Sequence, residues 1–272
     1  DVTKHWIENF DIDGWRMDVA KELDFSFWKD FRDAAYGTKE DVLLISEIFG
    51  DTSQWLQGDR FDGTMNYSFR ETMTDYFATK RINNKEFADS LANLYSMYSF
   101  EALSSCQNLL SSHDVKRFLN RCGNNQDGIL GAIFLQATFP GIAGVYYGDE
   151  VGLGGADDPF NREPFPWNNE ESWNKTILEF TKSMMQIKNV NPIFKYGRFE
   201  LLDYEENVVI FRRILQDESL ICIVNRDRIT NDIIIPSNAH SIDILYGDCE
   251  ANLEDGSVKI TKNAGDVGII LH

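Results

Sequence analysis

The sequence predicts an α/β fold with a parallel sheet, followed by an all-β antiparallel domain. Up to about residue 190, short apolar runs alternate with stretches whose apolar residues recur at helical spacing, a pattern typical of βα units. Beyond Pro192, strand-like runs follow one another between Asp, Asn, Gly and Pro, with no helical period between them. We therefore predict two domains, covering residues 1–193 and 194–272.

The first part contains five strand candidates separated by helices. The clearest strands are "GWRMDV" and "DVLLISEIF", and the helix between them carries Trp28, Phe31 and Ala35 on one face. A last helix is expected to end before Pro192, which cannot continue it. The other strand candidates are "DGTMNYSF", "QNLLSSHD" and "AGVYYGDEVG", and the other helical regions are 87–105 and 128–139. The stretch 129–147 predicts helix, turn and buried strand, because Gly, Gln, Thr and Pro interrupt it too often for a bilayer span.

The second part contains six strand-like runs, which predict a β-sandwich of about eighty residues. The runs are 206–214, 218–226, 231–236, 240–247, 257–262 and 266–272.

Composition narrows the classes of partner and site. The chain has 272 residues, 43% of them hydrophobic, enough to bury a sizeable core. Its 44 acidic and 26 basic residues give a net charge of −18, which repels nucleic acid and anionic membrane surfaces. The four cysteines are far apart and show no CxxC spacing, so we expect neither a zinc site nor a disulfide framework. No export signal is recognised at the start of the chain, and a reducing compartment is favoured.

Polar residues end three of the predicted strands. Asp18 ends the first, Glu47 the second, and His113 with Asp114 follows a later one. Active sites of parallel α/β barrels lie at the carboxyl ends of the strands. One such carboxylate is more commonly a helix cap or ion-pair partner, and a lone histidine is more commonly structural. Three strand ends with such residues, in order on three βα units, favour an active site over these common roles.

Arg16 lies two residues before Asp18 and therefore on the same face of the strand. It can hold Asp18 ionised and oriented, or it can be a simple ion-pair partner.

Four segments carry a specific resemblance. "DIDGWRMDVAKE", "LLISEIFG", "NLLSSHDVKRFL" and "GVYYGDEVGLGGADDPFNREPFPW" resemble successive blocks of the α-amylase superfamily of glycoside hydrolases, closest to its cyclomaltodextrinase, neopullulanase and maltogenic amylase group. The resemblance implies the C-terminal part, about five strands, of a (β/α)8 TIM barrel, followed by a C-terminal β-sandwich. A closed barrel of this type has eight strands and about 250 residues. We therefore expect a fragment, whose open sheet edges favour self-association.

The resemblance also implies roles for the polar residues. Asp18 would be the nucleophile, Glu47 the general acid and base, and Asp114 a third carboxylate that binds the sugar together with His113. Arg16 would orient the nucleophile. The charges of Asp18 and Asp114 are expected to raise the pKa of Glu47, as an acid catalyst near neutral pH requires.

Further residues are implied as substrate contacts. Lys21 and Glu22 correspond to positions that bind the leaving side of the sugar chain, and Phe49 and Tyr67 would stack on sugar rings. No cofactor or metal is expected within this chain. Any calcium, common in the family, would bind in the N-terminal part.

The expected activity is retaining cleavage of α-1,4 glucosidic bonds, with α-1,6 bonds left open, in cyclodextrins, pullulan, maltooligosaccharides or starch. The expected location is the cytoplasm. Two alternatives remain. One is a catalytically inert chain, either a truncated product or an amylase-like binding or assembly module, and the other is a transferase or isomerase that uses the same glycosyl intermediate.

Overall fold

The computed structural model describes residues 1–204, 208–227 and 232–272. The helices are α1 Val2–Phe10, α2 Phe25–Tyr36, α3 Tyr67–Met73, α4 Asn84–Ser96, α5 Phe100–Ser105, α6 Phe118–Arg121, α7 Gln126–Thr138, α8 Lys175–Val190 and α9 Ile193–Tyr196. The strands are β1 Gly14–Met17, β2 Leu43–Ser46, β3 Gly63–Thr64, β4 Gln107–Leu109, β5 Ile142–Gly144, β6 Arg198–Tyr204, β7 Val209–Leu215, β8 Glu218–Val224, β9 Asp232–Pro236, β10 Ile242–Glu254 and β11 Ser257–Leu271.

The first five strands form a parallel arrangement in chain order. β1 pairs with β2 and β2 with β3, both in parallel, and β4 pairs in parallel with β5. A parallel bridge between Met65 and Gln107 joins the two groups. The predicted five-stranded part of a (β/α)8 barrel is therefore confirmed. Within the described ranges, β1 and β5 each have a strand neighbour on one side only.

The remaining strands form the antiparallel β-sandwich that the sequence predicts. Their order is β10-β11-β8-β7-β6, and the first part of β11 also pairs with β9. Alternate residues of β7 serve two cores. Val209 and Phe211 pack toward the helices, whereas Ile210 packs with Ile233 and Val258 inside the sandwich.

One of the hydrophobic clusters contains residues of both parts. Helix α7 is buried on every side from residue 128 to 138, and it packs against α8, β5 and β11. Phe134 of α7 belongs to the same cluster as Phe199 and Leu220 of the sandwich. The antiparallel sheet begins at Arg198, and the domain boundary at residue 193 stays a prediction.

Several predicted elements differ from the structure. The region 87–105 is two helices, because the Ser99 side chain accepts a hydrogen bond from the Ala102 amide and starts α5. In the segment 62–69 only two residues form a strand, and Asn66 then caps α3. The two runs at 257–262 and 266–272 belong to one strand, β11.

Strand β5 is less buried than predicted. Ile142 is 39% exposed, because the strand has no neighbour on its outer side within the described ranges. Strand β6 was not predicted. Residues 206, 207 and 231 of the predicted strands lie outside the described residues. Among the residues described, no helix is long and apolar enough to cross a bilayer.

Candidate active site

The parallel strands bring the predicted site residues to one edge of the sheet. Asp18 directly follows β1, Glu47 directly follows β2, and His113 and Asp114 lie in the loop after β4. The carboxyl ends of parallel strands lie at the same edge, and side chains of all three segments meet there.

Arg16 joins the first two carboxylates. Its Nη1 lies 3.2 Å from Asp18 Oδ1, and its Nη2 contacts Glu47 Oε1. The Nε donates to the sulfur of Met65 at 3.4 Å, which fixes the plane of the guanidinium. The contact with Asp18 was expected from the strand face, whereas the contact with Glu47 depends on the pairing of β1 with β2.

Glu47 is the buried member of the site, with a side chain that is 5% exposed. Burial raises its pKa to about 7, and a hydrogen bond from its protonated form to Asp18 and the charge of Asp114 act in the same direction. The Arg16 cation opposes these effects and is outweighed. The expected direction is confirmed, but burial is a larger cause than the neighbouring charges.

Asp18 has the opposite environment. Its side chain is 71% exposed, and its pKa is lowered by the hydrogen bond from Glu47, by Arg16 and by His113. Two carboxyl groups bridged by Arg16 therefore differ in protonation near neutral pH, with Asp18 ionised and Glu47 able to hold a proton. This difference is the pattern that separates a nucleophile from an acid catalyst.

The loop after β4 approaches Glu47 from the other side. His113 Nε2 lies 3.2 Å from Asp114 Oδ2 and 3.9 Å from Glu47 Oε1. The Tyr67 hydroxyl lies 3.0 Å from Ser112 Oγ and 3.5 Å from Glu47 Oε1, so it links this loop to β2. Burial raises the pKa of Tyr67 to about 12, which keeps the phenol protonated and able to donate.

The predicted substrate contacts fall into two groups. Phe49 is 52% exposed, and its ring stacks on that of Tyr67 with centroids 3.8 Å apart, so Phe49 presents its outer face to solvent. Tyr67 is buried, and its hydroxyl rather than its ring face reaches the site. Lys21 and Glu22 lie on an exposed 3-10 turn after β1, and no contact in the described part of the chain joins them to the carboxylates.

Sequence reasoning missed Asn161 and Arg162, which reach the site from the loop after β5. Arg162 Nη2 lies 3.4 Å from Asp114 Oδ1, and Asn161 donates to the backbone of the same loop. Both residues lie inside the fourth segment of the resemblance. Apart from the resemblance, the sequence signal for Arg162 is its positive charge, which follows the last predicted parallel strand in a strongly acidic chain.

Among the residues that the structure describes, one group of side chains could hold a metal ion. The ligand atoms of Glu47, His113 and Asp114 lie within 4.8 Å of one another. Two of these residues are already paired with guanidinium groups, Glu47 with Arg16 and Asp114 with Arg162, which reduces the site's attraction for a cation. That this chain needs no metal or cofactor stays a prediction. All four cysteines are free thiols.

Comparisons with known proteins agree with this geometry. Residues 1–192 match the family described as alpha amylase, catalytic domain. The chain is 36% identical to neopullulanase 2 of Thermoactinomyces vulgaris over 96% of its own length and 45% of the relative's, and 38% identical to the intracellular maltogenic amylase of Bacillus subtilis over 86% and 40%. The chain thus spans less than half the length of these relatives.

Solved structures show the same fold. The structure superposes on the cyclic α-maltosyl-(1→6)-maltose hydrolase of Arthrobacter globiformis with a TM-score of 0.85 and 32% identity, covering 100% of this chain and 59% of that one. The debranching enzyme of Nostoc punctiforme gives a TM-score of 0.89 and 30% identity, covering 99% and 60%. The chain therefore belongs to the α-amylase family of glycoside hydrolases.

Proposed function

We propose that this chain carries the catalytic carboxylates of a retaining α-glucan hydrolase. Asp18 acts as the nucleophile and Glu47 as the general acid and base. The observation that carries the proposal is the pair of opposite environments, in which Asp18 and Glu47 contact one guanidinium while the pKa of Asp18 is lowered and that of Glu47 is raised to about 7.

The two steps use this difference in protonation. In the first step an oxygen of Asp18 forms a bond to the anomeric carbon, the glucosidic C–O bond breaks, and the proton of Glu47 passes to the departing oxygen. In the second step Glu47 removes a proton from water, whose oxygen attacks the same carbon and releases Asp18 as a carboxylate. Glu47 is then protonated again, and the configuration at carbon is retained.

The separation of the carboxyl groups supports retention rather than inversion. Inverting enzymes hold their two carboxyl groups roughly 6.5–9.5 Å apart, to leave room for a water molecule. The terminal nitrogens of Arg16 contact both groups, Nη1 contacting Asp18 and Nη2 contacting Glu47. Two carboxyl groups bridged by one guanidinium lie close together, as the separation of roughly 5–5.5 Å in retaining enzymes requires.

We further propose that the substrates are short or cyclic α-glucans with α-1,4 bonds, and that α-1,6 bonds are also cleaved. The names of the relatives support both linkages, since they include cyclomaltodextrinases, a neopullulanase and an α-maltosyl-(1→6)-maltose hydrolase. The exposed face of Phe49 can stack on the apolar face of a glucose ring. His113 and Asp114 would bind its hydroxyl groups, and Lys21 and Glu22 would contact the leaving side.

The test is sugar release from β-cyclodextrin, pullulan and starch, with the anomer of the product followed by NMR. We expect the α-anomer to form first, and Glu47→Gln to lower the rate by roughly 10²- to 10⁴-fold. Glu200→Gln, which removes the charge of an exposed ion pair in the sandwich, is the matched control and should leave the rate unchanged. A β-anomer as first product, or full activity in Glu47→Gln, would contradict the proposal.

We also propose that the chain associates with a second copy through its open strand edges. Beside β5 lies a cleft of about 610 Å³ lined largely by apolar groups, among them Ile142, Val145 and Phe194. Helix α1, which packs on α2, exposes Trp6 and Phe10. Unpaired edges and apolar patches of this kind favour association. Light scattering that shows a monomer across a hundredfold range of concentration would refute this proposal.

A cytoplasmic location is proposed as well. It is supported by the four free thiols, which are typical of reducing compartments, and by the relative named as intracellular. Fractionation of cells that express the protein would test it, and recovery in the culture medium would contradict it.

A further inference from the structure

The loop after β4 is held by a short 3-10 turn, Phe160–Arg162, from the loop after β5. Asn161 of this turn is completely buried. Its Nδ2 donates to the carbonyl oxygens of His113 at 2.9 Å and Val115 at 3.0 Å, and lies 3.4 Å from that of Ser112. One amide group thus serves three carbonyl oxygens of a single loop.

Arg162 holds the same loop from the solvent side. Its Nε donates to the His113 carbonyl oxygen at 2.8 Å, and its Nη2 lies 3.4 Å from Asp114 Oδ1. Asp158 pairs with the same guanidinium at 3.2 Å and limits its movement. The His113 carbonyl oxygen therefore accepts from both Asn161 and Arg162.

The orientation of the Asn161 amide follows from its surroundings. A rotation that exchanged its nitrogen and oxygen would place the oxygen against carbonyl oxygens, which can only accept. The Oδ1 atom is buried and has no hydrogen-bond partner among the described residues. Leaving a buried acceptor unpaired is costly, and the three contacts of the nitrogen explain why this orientation is kept.

We infer that Asn161, assisted by Arg162, is a positioning residue that sets the place of His113 and Asp114 relative to Glu47. This inference rests on the proposed function for its effect on turnover. Beyond the bridge between Ser112 and Val115, the loop has no strand pairing within the described ranges, so its peptide groups depend on donors from elsewhere. A displacement of reacting groups by about 1 Å can cost a rate factor of about 10².

The first test compares Asn161→Ala with Asn174→Ala. Asn174 caps α8 and bonds Gln126, outside the site, so its loss affects stability without touching the loop. The protein has four histidines, and ¹⁵N-histidine labelling with a His113→Gln variant assigns the ring signals of His113. We expect these signals to shift in Asn161→Ala and to stay in place in Asn174→Ala.

Turnover gives the second readout. We expect kcat/KM on β-cyclodextrin to fall about 10²-fold in Asn161→Ala, mainly through kcat, and less than about threefold in Asn174→Ala. Arg162→Gln is the second variant, for the case that Asn161→Ala does not fold. The Arg162 side chain is 46% exposed, so this substitution should keep the fold. It should shift the His113 signals in the same direction and lower kcat/KM about tenfold.

The outcomes separate this inference from the proposed function. The positioning role is overturned if the His113 signals do not shift in folded Asn161→Ala. If Asn161→Ala does not fold, unshifted His113 signals in Arg162→Gln overturn it. An equal loss of turnover in Asn161→Ala and Asn174→Ala does the same, because it assigns the effect to stability. If the unmodified protein has no turnover, the proposed function fails, and the NMR comparison still decides the positioning role.

Discussion

Replacing Glu47 by glutamine should lower activity by roughly 10²- to 10⁴-fold and at the same time stabilise the protein at alkaline pH. The folded state raises the pKa of Glu47 from an ordinary value of 4.5 to about 7, chiefly through burial. At about 1.36 kcal/mol per pH unit, this difference corresponds to about 3.4 kcal/mol. Because the adjoining Asp18 is open to water, which screens part of the effect, we expect about 2 to 3 kcal/mol to be observed.

The sign follows from proton linkage. Between pH 4.5 and 7 the folded state binds more protons than the unfolded state, so the free energy of unfolding falls as pH rises through this range. The contribution of Glu47 is fully present below pH 4.5 and is lost above pH 7. Glutamine does not titrate, so Glu47→Gln should match the unmodified protein at pH 4.5 and exceed it at pH 8.5.

The assay is urea unfolding of both proteins at pH 4.5 and pH 8.5, each followed by circular dichroism and by tryptophan fluorescence. Glu200→Gln, at an exposed ion pair of the sandwich, is the control and should show no comparable difference between the two pH values. A stability difference between Glu47→Gln and the unmodified protein that is the same at both pH values would refute the reasoning.

Three further predictions follow from the same structure. Asp114→Asn removes a charge that raises the pKa of Glu47, so the alkaline limb of the kcat/KM profile should move to lower pH, and an unmoved limb would show that the charge does not act on Glu47. Lys188 is buried, and burial together with the charge of Arg213 lowers its pKa to about 7, so the unfolded state binds more protons than the folded state between pH 7 and 10.5. Lys188→Met should therefore raise the free energy of unfolding by roughly 1–4 kcal/mol at pH 6 and by less at pH 10. An equal gain at both pH values in urea unfolding would contradict this prediction. Phe49→Ala should raise the KM for maltooligosaccharides about 3- to 10-fold, because stacking is worth about 0.5–1.5 kcal/mol, and an unchanged KM in steady-state kinetics would remove Phe49 from the binding surface.

Local sequence patterns predicted most of the fold. Apolar periodicity and the strand-like runs identified the five parallel strands, because side-chain spacing is a property of consecutive residues. The same patterns misplaced the ends of helices and strands at positions where a capping side chain sets the end. Ser99 divides a continuous helical pattern by capping α5, and Asn66 ends β3 by capping α3.

The site divides in the same way. The sequence by itself determined that Asp18, Glu47 and Asp114 follow strands of a parallel sheet, and hence that they lie at one edge of it. Only the tertiary structure decided that Arg16 contacts both Asp18 and Glu47, that burial is the main cause of the raised pKa of Glu47, and that Asn161 holds the loop after β4. These properties depend on distances between residues far apart in the chain, and no local pattern encodes such distances.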